Sequence, residues 1–85
     1  MSEEGTLLKF PCDLPIKVFG RNEPGFRAAA LAIVREHYEQ FALSEHESRG
    51  GTYLSLTITV RAESKPQVDA VYRALTASES IIMVL

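Results

Sequence analysis

The chain has 85 residues, 46% hydrophobic and 24% charged, with 9 basic against 11 acidic side chains and a formal charge of −2. A chain this short folds as one domain that hides about 60–65% of the surface its unfolded form exposes, which excludes a multi-domain enzyme, a fibre and a disordered chain. The charge lacks the basic excess of a dedicated nucleic-acid binder, the lone Cys12 suits a reducing compartment, and the longest apolar run, residues 28–34, is too short to cross a membrane.

Residues 1–6 read as a flexible, solvated tail, acidic where a signal peptide would be basic. A lead-in over residues 6–11 offers Leu7, Leu8 and Phe10 to an edge of the fold before Pro11 and Pro15 interrupt it. Residues 14–20 alternate: Leu14, Ile16 and Val18 share one face, and Lys17 and Phe19 the other, which predicts a strand with one face on a core. Gly20-Arg21-Asn22 breaks it. Asn22 suits a helix N-cap, and Pro24 a first helical turn.

The helix is predicted over residues 23–40, with Phe26, Ala30, Ile33, Val34, Tyr38 and Phe41 on one stripe. Residues 43–49 are polar and read as an edge strand whose Glu45, Glu47 and Arg49 discourage further pairing. Gly50-Gly51 supplies a hairpin turn. In residues 52–61, Leu54, Leu56, Ile58 and Val60 alternate with Tyr53, Ser55, Thr57, Thr59 and Arg61, the pattern of a half-buried antiparallel strand. Ser64 with Gln67 forms a capping box, and Val68, Val71, Tyr72 and Leu75 mark a second helix ending near Ala77 or Ser78. Residues 81–85 are apolar throughout and predict a last strand covered on both faces or central in pairing.

The order strand, helix, strand, strand, helix, strand predicts an α+β fold: a ferredoxin-like βαββαβ sandwich. Its four-stranded antiparallel sheet has order 4-1-3-2, with two helices on one face. Residues 7–85 form this single domain. The predicted core is Ile16, Val18, Ile33, Val34, Leu54, Leu56, Ile58, Val71 and Leu75.

Chemistry-bearing residues are sparse. Cys12, His37 and His46 fall on three different elements, so neither a metal nor another cofactor is expected. No nucleophile elbow, zinc-protease pattern or phosphate loop is present. His37 lies at the margin of the first helix's apolar stripe and reads as a boundary residue. No catalytic residues are assigned, and an enzyme is not expected.

Two surfaces remain. A sheet covered on one face leaves Lys17, Phe19, Tyr53, Ser55, Thr57, Thr59 and Arg61 on the other. Phe19 and Tyr53, extended by alternate residues of the last strand, would make an apolar patch suited to a protein partner or a second copy of the chain. The bland alternative is that serines and threonines simply solvate the sheet. The aromatics are not interleaved as in RNA-binding sheets, and nucleic acid is not an expected partner. The other surface is the turn Asn22-Glu23-Pro24-Gly25-Phe26, which resembles the D-x-P-G-x-hydrophobic signature of ACT domains with Asn22 at the acidic position. That resemblance implies a small carboxylate ligand near Asn22, Pro24 and Gly25, beside a helix N-terminus. The same residues equally make a plain capped helix start.

Across residues 7–85 the chain resembles the YbeD-like family of small bacterial proteins. The resemblance lies in Phe10-Pro11, Lys17-Val18 with Gly20, Pro24, His37, Tyr53-x-Ser55-x-Thr57-Ile58-Thr59, Gln67-Val68 with Tyr72, and Met83-Val84-Leu85. It implies a ferredoxin-like, ACT-like architecture without assigned catalytic residues, and a genomic association with lipoyl (octanoyl) transfer. The expected protein is therefore a cytoplasmic regulatory or binding domain with no membrane association. It senses a small acid as an ACT-like module, with the link to lipoate metabolism that the resemblance implies; the alternative is an adaptor that engages a protein through the open sheet face. The expected association is a homodimer or a partner-binding sheet face.

Overall fold

The computed structural model describes residues 9–85. The expected tail and the lead-in leucines Leu7 and Leu8 lie outside these residues; Phe10 is half-buried. Element order is β1 (Cys12–Arg21), α1 (Pro24–His37), β2 (Phe41–Glu47), β3 (Tyr53–Ala62), α2 (Lys65–Thr76) and β4 (Met83–Val84). The strands form one sheet of order β2-β3-β1-β4, the predicted order read from the other edge. The fold class is α+β and ferredoxin-like, as the pattern of alternation and helical spacing predicts.

β1 and β3 pair antiparallel over ten positions, from Cys12 opposite Ala62 to Arg21 opposite Tyr53. Residues directly opposite share a face, so one register places Ile16 beside Ile58 and Val18 beside Leu56 under the helices. The same register puts Lys17 beside Thr57 and Phe19 beside Ser55 on the uncovered side. Ile16, Val18, Leu56, Ile58, Val71 and Leu75 are fully buried, and Phe26, Ala30, Leu31, Val34 and Tyr38 of α1 and its cap join them in the core with Leu54, Val60 and Ile81.

Pro15 stands inside β1, where a missing N–H would ordinarily cost a ladder bond. Lys17 N–H donates to the Leu85 carbonyl, so β1's odd-numbered amides point toward β4. β4 does not extend opposite Pro15, so no bond is lost there. Gly20 is also required by its place. It is buried in β1, the Phe26 ring lies against it, and any Cβ at this position would overlap that ring. This contact seats the first turn of α1 on the sheet.

Several expectations need correction. α1 ends at His37, because Tyr38 turns extended with φ −139° and ψ 131°. Phe41 therefore belongs to β2, opposite Val60, instead of the helical stripe. The edge strand accordingly starts and ends two residues earlier than residues 43–49. Ile33 is half-buried and packs against the core from its margin, whereas Leu31, absent from the predicted core, is buried. The largest difference is at the C-terminal end. β4 is a short edge strand, with Ile82 and Leu85 each 61% and Met83 47% exposed, so the apolar run is neither central nor covered on both faces.

The second helix start follows its pattern. Ser64 Oγ accepts from Gln67 N–H at 3.3 Å. Gln67 Oε1 reaches back to Glu63 N–H at 2.9 Å, one residue before the cap itself. Gly50 and Gly51 have φ of +86° and +76°, the left-handed region that side-chain-bearing residues rarely adopt, and they close the β2–β3 hairpin.

Two stability predictions follow from this packing. Leu56→Ala is expected to cost about 2–5 kcal/mol, the range for a fully buried leucine. Gly20→Ala is expected to cost about 1–3 kcal/mol by forcing Phe26 out of its seat. Equilibrium urea unfolding checks both; a Gly20→Ala domain as stable as the parent would show that Phe26 yields freely.

Candidate functional site

Among the described residues the buried set is apolar apart from the Tyr38 hydroxyl, and no three His, Cys, Asp or Glu side chains gather where they could hold a metal ion. Chemistry therefore has to be sought on the surface, at three places.

The first is the expected ligand turn. Asn22 does not cap α1. The N-cap is Glu23, and no side chain caps that end. Asn22 Nδ2 instead donates to the Gly51 carbonyl at 3.0 Å, while Asn22 N–H donates to the Thr52 carbonyl at 2.9 Å. A short polar side chain is a good cap in isolation; here the approach of the β2–β3 hairpin supplies a competing acceptor. Pro24 does sit in the first turn of α1, and Gly25 is exposed. A hollow of about 320 Å³ opens beside them, lined by Arg21, Glu23, Gly25, Phe26, Glu79 and Ile82 among others. Arg21 Nε lies 3.8 Å from Glu23 Oε2. The cation offered to a carboxylate is thus already attended by one glutamate, with Glu79 also on the rim.

The second is the end of α1 near Cys12. Tyr38 is 7% exposed, and its hydroxyl has no hydrogen-bond partner among the described residues. Burial, then the neighbouring Tyr72, Cys12 and Glu63, hold its phenol above the ordinary tyrosine range. Burial also raises Tyr72, whose hydroxyl donates to the Leu85 carbonyl at 3.2 Å. His37 is half-buried, and its Nδ1 lies 3.0 Å from the Ile33 carbonyl one turn back, which fits a boundary residue. A shallow hollow of about 400 Å³ borders this corner, lined by His37, Tyr38, Arg61, Glu63 and Gln67 among others, with charges of both signs.

The third is the uncovered face of the sheet. The structure brings Lys17, Phe19, Tyr53, Thr57 and Thr59 together there, with Ser55 and Arg61. β2 adds Ala42, Ser44 and His46, which stand opposite Thr59, Thr57 and Ser55. β4 adds Met83 opposite Phe19, and Leu85, whose amide and carbonyl both bond to Lys17, lies beside that lysine. Arg21, opposite Tyr53, holds its guanidinium 6.0 Å from the ring centroid. Sequence reading missed Arg21 and His46 on this face. Carrying the alternation of Lys17 and Phe19 one step further would have found Arg21.

The uncovered face is polarised in charge. Among the described residues it bears Lys17, Arg21 and Arg61 with one side-chain carboxylate, Asp13, which pairs with Arg61 at 3.2 Å, while Glu23 at its margin lies 3.8 Å from Arg21. The chain as a whole is acidic, at −2. Exposed apolar surface collects at one end, with Tyr53 and Met83 both 47% exposed. Beside Tyr53 a shallow hollow of about 120 Å³ is lined mainly by apolar surface, between Phe19, Tyr53, Leu54 and Ser55 and the rim residues His46 and Ser48.

Two variants probe the first two places. Asn22→Ala is expected to cost about 1 kcal/mol by removing the hairpin bond, and adding a carboxylate ligand should leave that loss unchanged. For Tyr38, the neutral phenol is the form favoured by the fold, so its contribution is complete below about pH 10 and is lost as pH rises through the higher folded value. Urea unfolding at about pH 8 and about pH 10.5 should show a smaller alkaline loss for Tyr38→Phe than for the parent. At the lower pH the variant should match or slightly exceed the parent, because it deletes a buried hydroxyl without a described partner.

Comparison with known proteins fits this geometry to a family. Residues 5–85 match the family described as "Protein of unknown function (DUF493)". A UPF0250 protein of Nitrosomonas europaea, NE1487, is 41% identical over 88 residues, spanning all of both chains. A UPF0250 protein of Paraburkholderia phytofirmans is 42% identical over 83 residues, covering 94% of this chain and 93% of its own. In structure, the chain is similar to protein HP0495 of H. pylori, with a TM-score of 0.79 over 92% of this chain and 85% of that one; at 10% identity the likeness shows the fold alone. The chain belongs to the DUF493, or UPF0250, family of small bacterial proteins, the YbeD-like family that its residues resemble.

Proposed function

Given that membership, we propose that the protein is a binding domain that works without catalysing a reaction, and that it engages a protein partner through the uncovered sheet face. One observation carries this reading. Apolar and cationic side chains share the face that no helix covers, in a chain whose overall charge is negative. The face also carries the hydroxyls of Ser44, Ser55, Thr57 and Thr59, and what plain solvation does not call for is the apolar group beside them. Here Met83, Leu85, Tyr53 and Phe19 meet across three strands, the kind of patch that marks contact surfaces. The described helices include none long and apolar enough to cross a membrane, and the half-buried Cys12 needs no pairing in a reducing cytoplasm.

The ligand-sensing reading has one observation in its favour, the hollow beside Gly25 and Arg21. Amino acids and lipoate-related acids are the compounds to screen there. A ligand at 100 times its Kd raises stability by about 2.7 kcal/mol, which a thermal shift would register.

The sheet-face reading is tested by a photo-activated cross-linker placed at Thr57 and, separately, at Glu36 on the exposed side of α1. A discrete adduct is expected from Thr57 alone, and Tyr53→Asp should abolish it. An adduct of twice the chain's mass would identify the partner as a second copy. Equal labelling from both positions would reject the face as the working surface.

A further inference from the structure

We infer that the uncovered face receives an acidic polypeptide segment in extended form, anchored by one bulky aliphatic side chain with a carboxylate two residues to either side. The inference rests on the sheet-face reading and specifies its partner.

The anchor site is the hollow of about 120 Å³ between Phe19, Tyr53 and Leu54. Pockets for small organic ligands usually enclose about 300–1,000 Å³. A hollow far below that, walled by the rings of Phe19 and Tyr53, fits a single side chain. His46, Ser48 and Ser55 close its rim, so a partner backbone passing over it meets polar groups while its side chain meets apolar ones. This is the usual division between the centre and edge of a protein contact.

The charges follow from β1. Lys17 and Arg21 stand two residues before and two residues after Phe19, on the same face. With a rise of about 3.3 Å per residue, each lies about 7 Å along the strand from Phe19, and Arg21 also stands directly opposite Tyr53, the other wall of the hollow. Both cations are exposed. Among the described residues Lys17 has Thr57 and Leu85 as cross-strand neighbours, and Arg21 has Glu23 at 3.8 Å. An extended segment repeats on one side every two residues, with the same rise. Carboxylates two positions before and after an anchor seated against Phe19 then come within side-chain reach of Lys17 and Arg21. Leu85 and Met83 flank this track on β4 and add apolar surface beside it.

The same features disfavour the other occupants. A second copy docked face to face by a two-fold axis presents the patch to itself, bringing Lys17, Arg21 and Arg61 against their like, with Asp13 and Glu23 the carboxylates beside them among the described residues. A nucleic acid would gain from the cations, but it would leave the aliphatic surface of Met83 and Leu85 uncovered and would find only a few phosphate contacts.

The probe is a 12-residue peptide with the central sequence Glu-Ser-Leu-Ser-Glu, measured by calorimetry or fluorescence anisotropy against the full chain. Three peptide controls change the leucine to alanine, both glutamates to lysine, or move the glutamates next to the leucine. The parent peptide should bind. Each control should bind at least about tenfold more weakly, a difference of about 1.4 kcal/mol. Raising salt from about 50 mM to about 500 mM should weaken the parent peptide severalfold. Tyr53→Ser and Lys17→Glu change exposed side chains, and each should reduce binding about tenfold while circular dichroism stays that of the parent.

Absence of binding by the parent peptide overturns the inference, as does equal binding of the lysine or alanine control. If those controls bind and Tyr53→Ser abolishes the binding, the face is a binding surface and only the partner's chemistry is wrong. If binding survives both Tyr53→Ser and Lys17→Glu, the sheet-face reading falls as well. Tighter binding of a single-stranded RNA of similar length, or a dimer by sedimentation that Lys17→Glu dissociates, also overturns the acidic-segment assignment.

Discussion

The pairing of β1 with β3 is the constraint on which the rest of the molecule depends. Ten consecutive positions are in register, and strand side chains alternate with a period of two. One choice of register therefore decides every residue on both faces. Shifted by a single residue, β3 would turn Leu56 and Ile58 to water and Thr57 beneath the helices. The helices, the hairpin and β4 attach to this pair. α1 reaches it through Phe26 on Gly20, the hairpin through Asn22 and Gly51, and β4 through Lys17.

What sequence could reveal tracks what is local. The alternation of β3 is complete because it lies between β1 and β2 with one face on the core, and such a strand writes its environment into every second residue. The capping box at Ser64 is equally local, and it forms. The misreadings all come from contacts distant in sequence. Asn22 has the chemistry of a cap, but the Gly51 carbonyl, 29 residues away, takes its side chain. Residues 38–40 suit a helix, yet Phe41 pairs with Val60, which requires the chain to turn extended at Tyr38. The C-terminal apolar run resembles a buried strand, but with β1 and β3 already paired the position left to it is an edge.

The candidate surface was legible to the same extent as the strands that carry it. Lys17, Phe19, Tyr53, Thr57 and Thr59 follow from alternation alone, whereas the hollow beside Tyr53 depends on how β2 and β3 curve around Ser48 and His46, which no spacing reveals. The ligand turn was harder, because its residues have two consistent readings. A proline and glycine after a polar residue describe both a helix start and a carboxylate cradle. Only the position of the Asn22 side chain and the presence of Glu23 and Glu79 around Arg21 distinguish how the turn is furnished.

The sequence distance between β1 and β3 also bears on how the protein is born. Cys12 opposes Ala62, so the central ladder closes only after 50 further residues have been added. At bacterial synthesis rates of about 5–20 residues per second, that is roughly 3–10 s during which β1 and α1 exist without their partner strand. Ile16 and Val18 have no sheet partner until then, because β1 pairs with β3 and β4, both later in the chain. β1 therefore gains its central partner late in synthesis, after α1 and β2 have been made, when β3 can pair along its whole length.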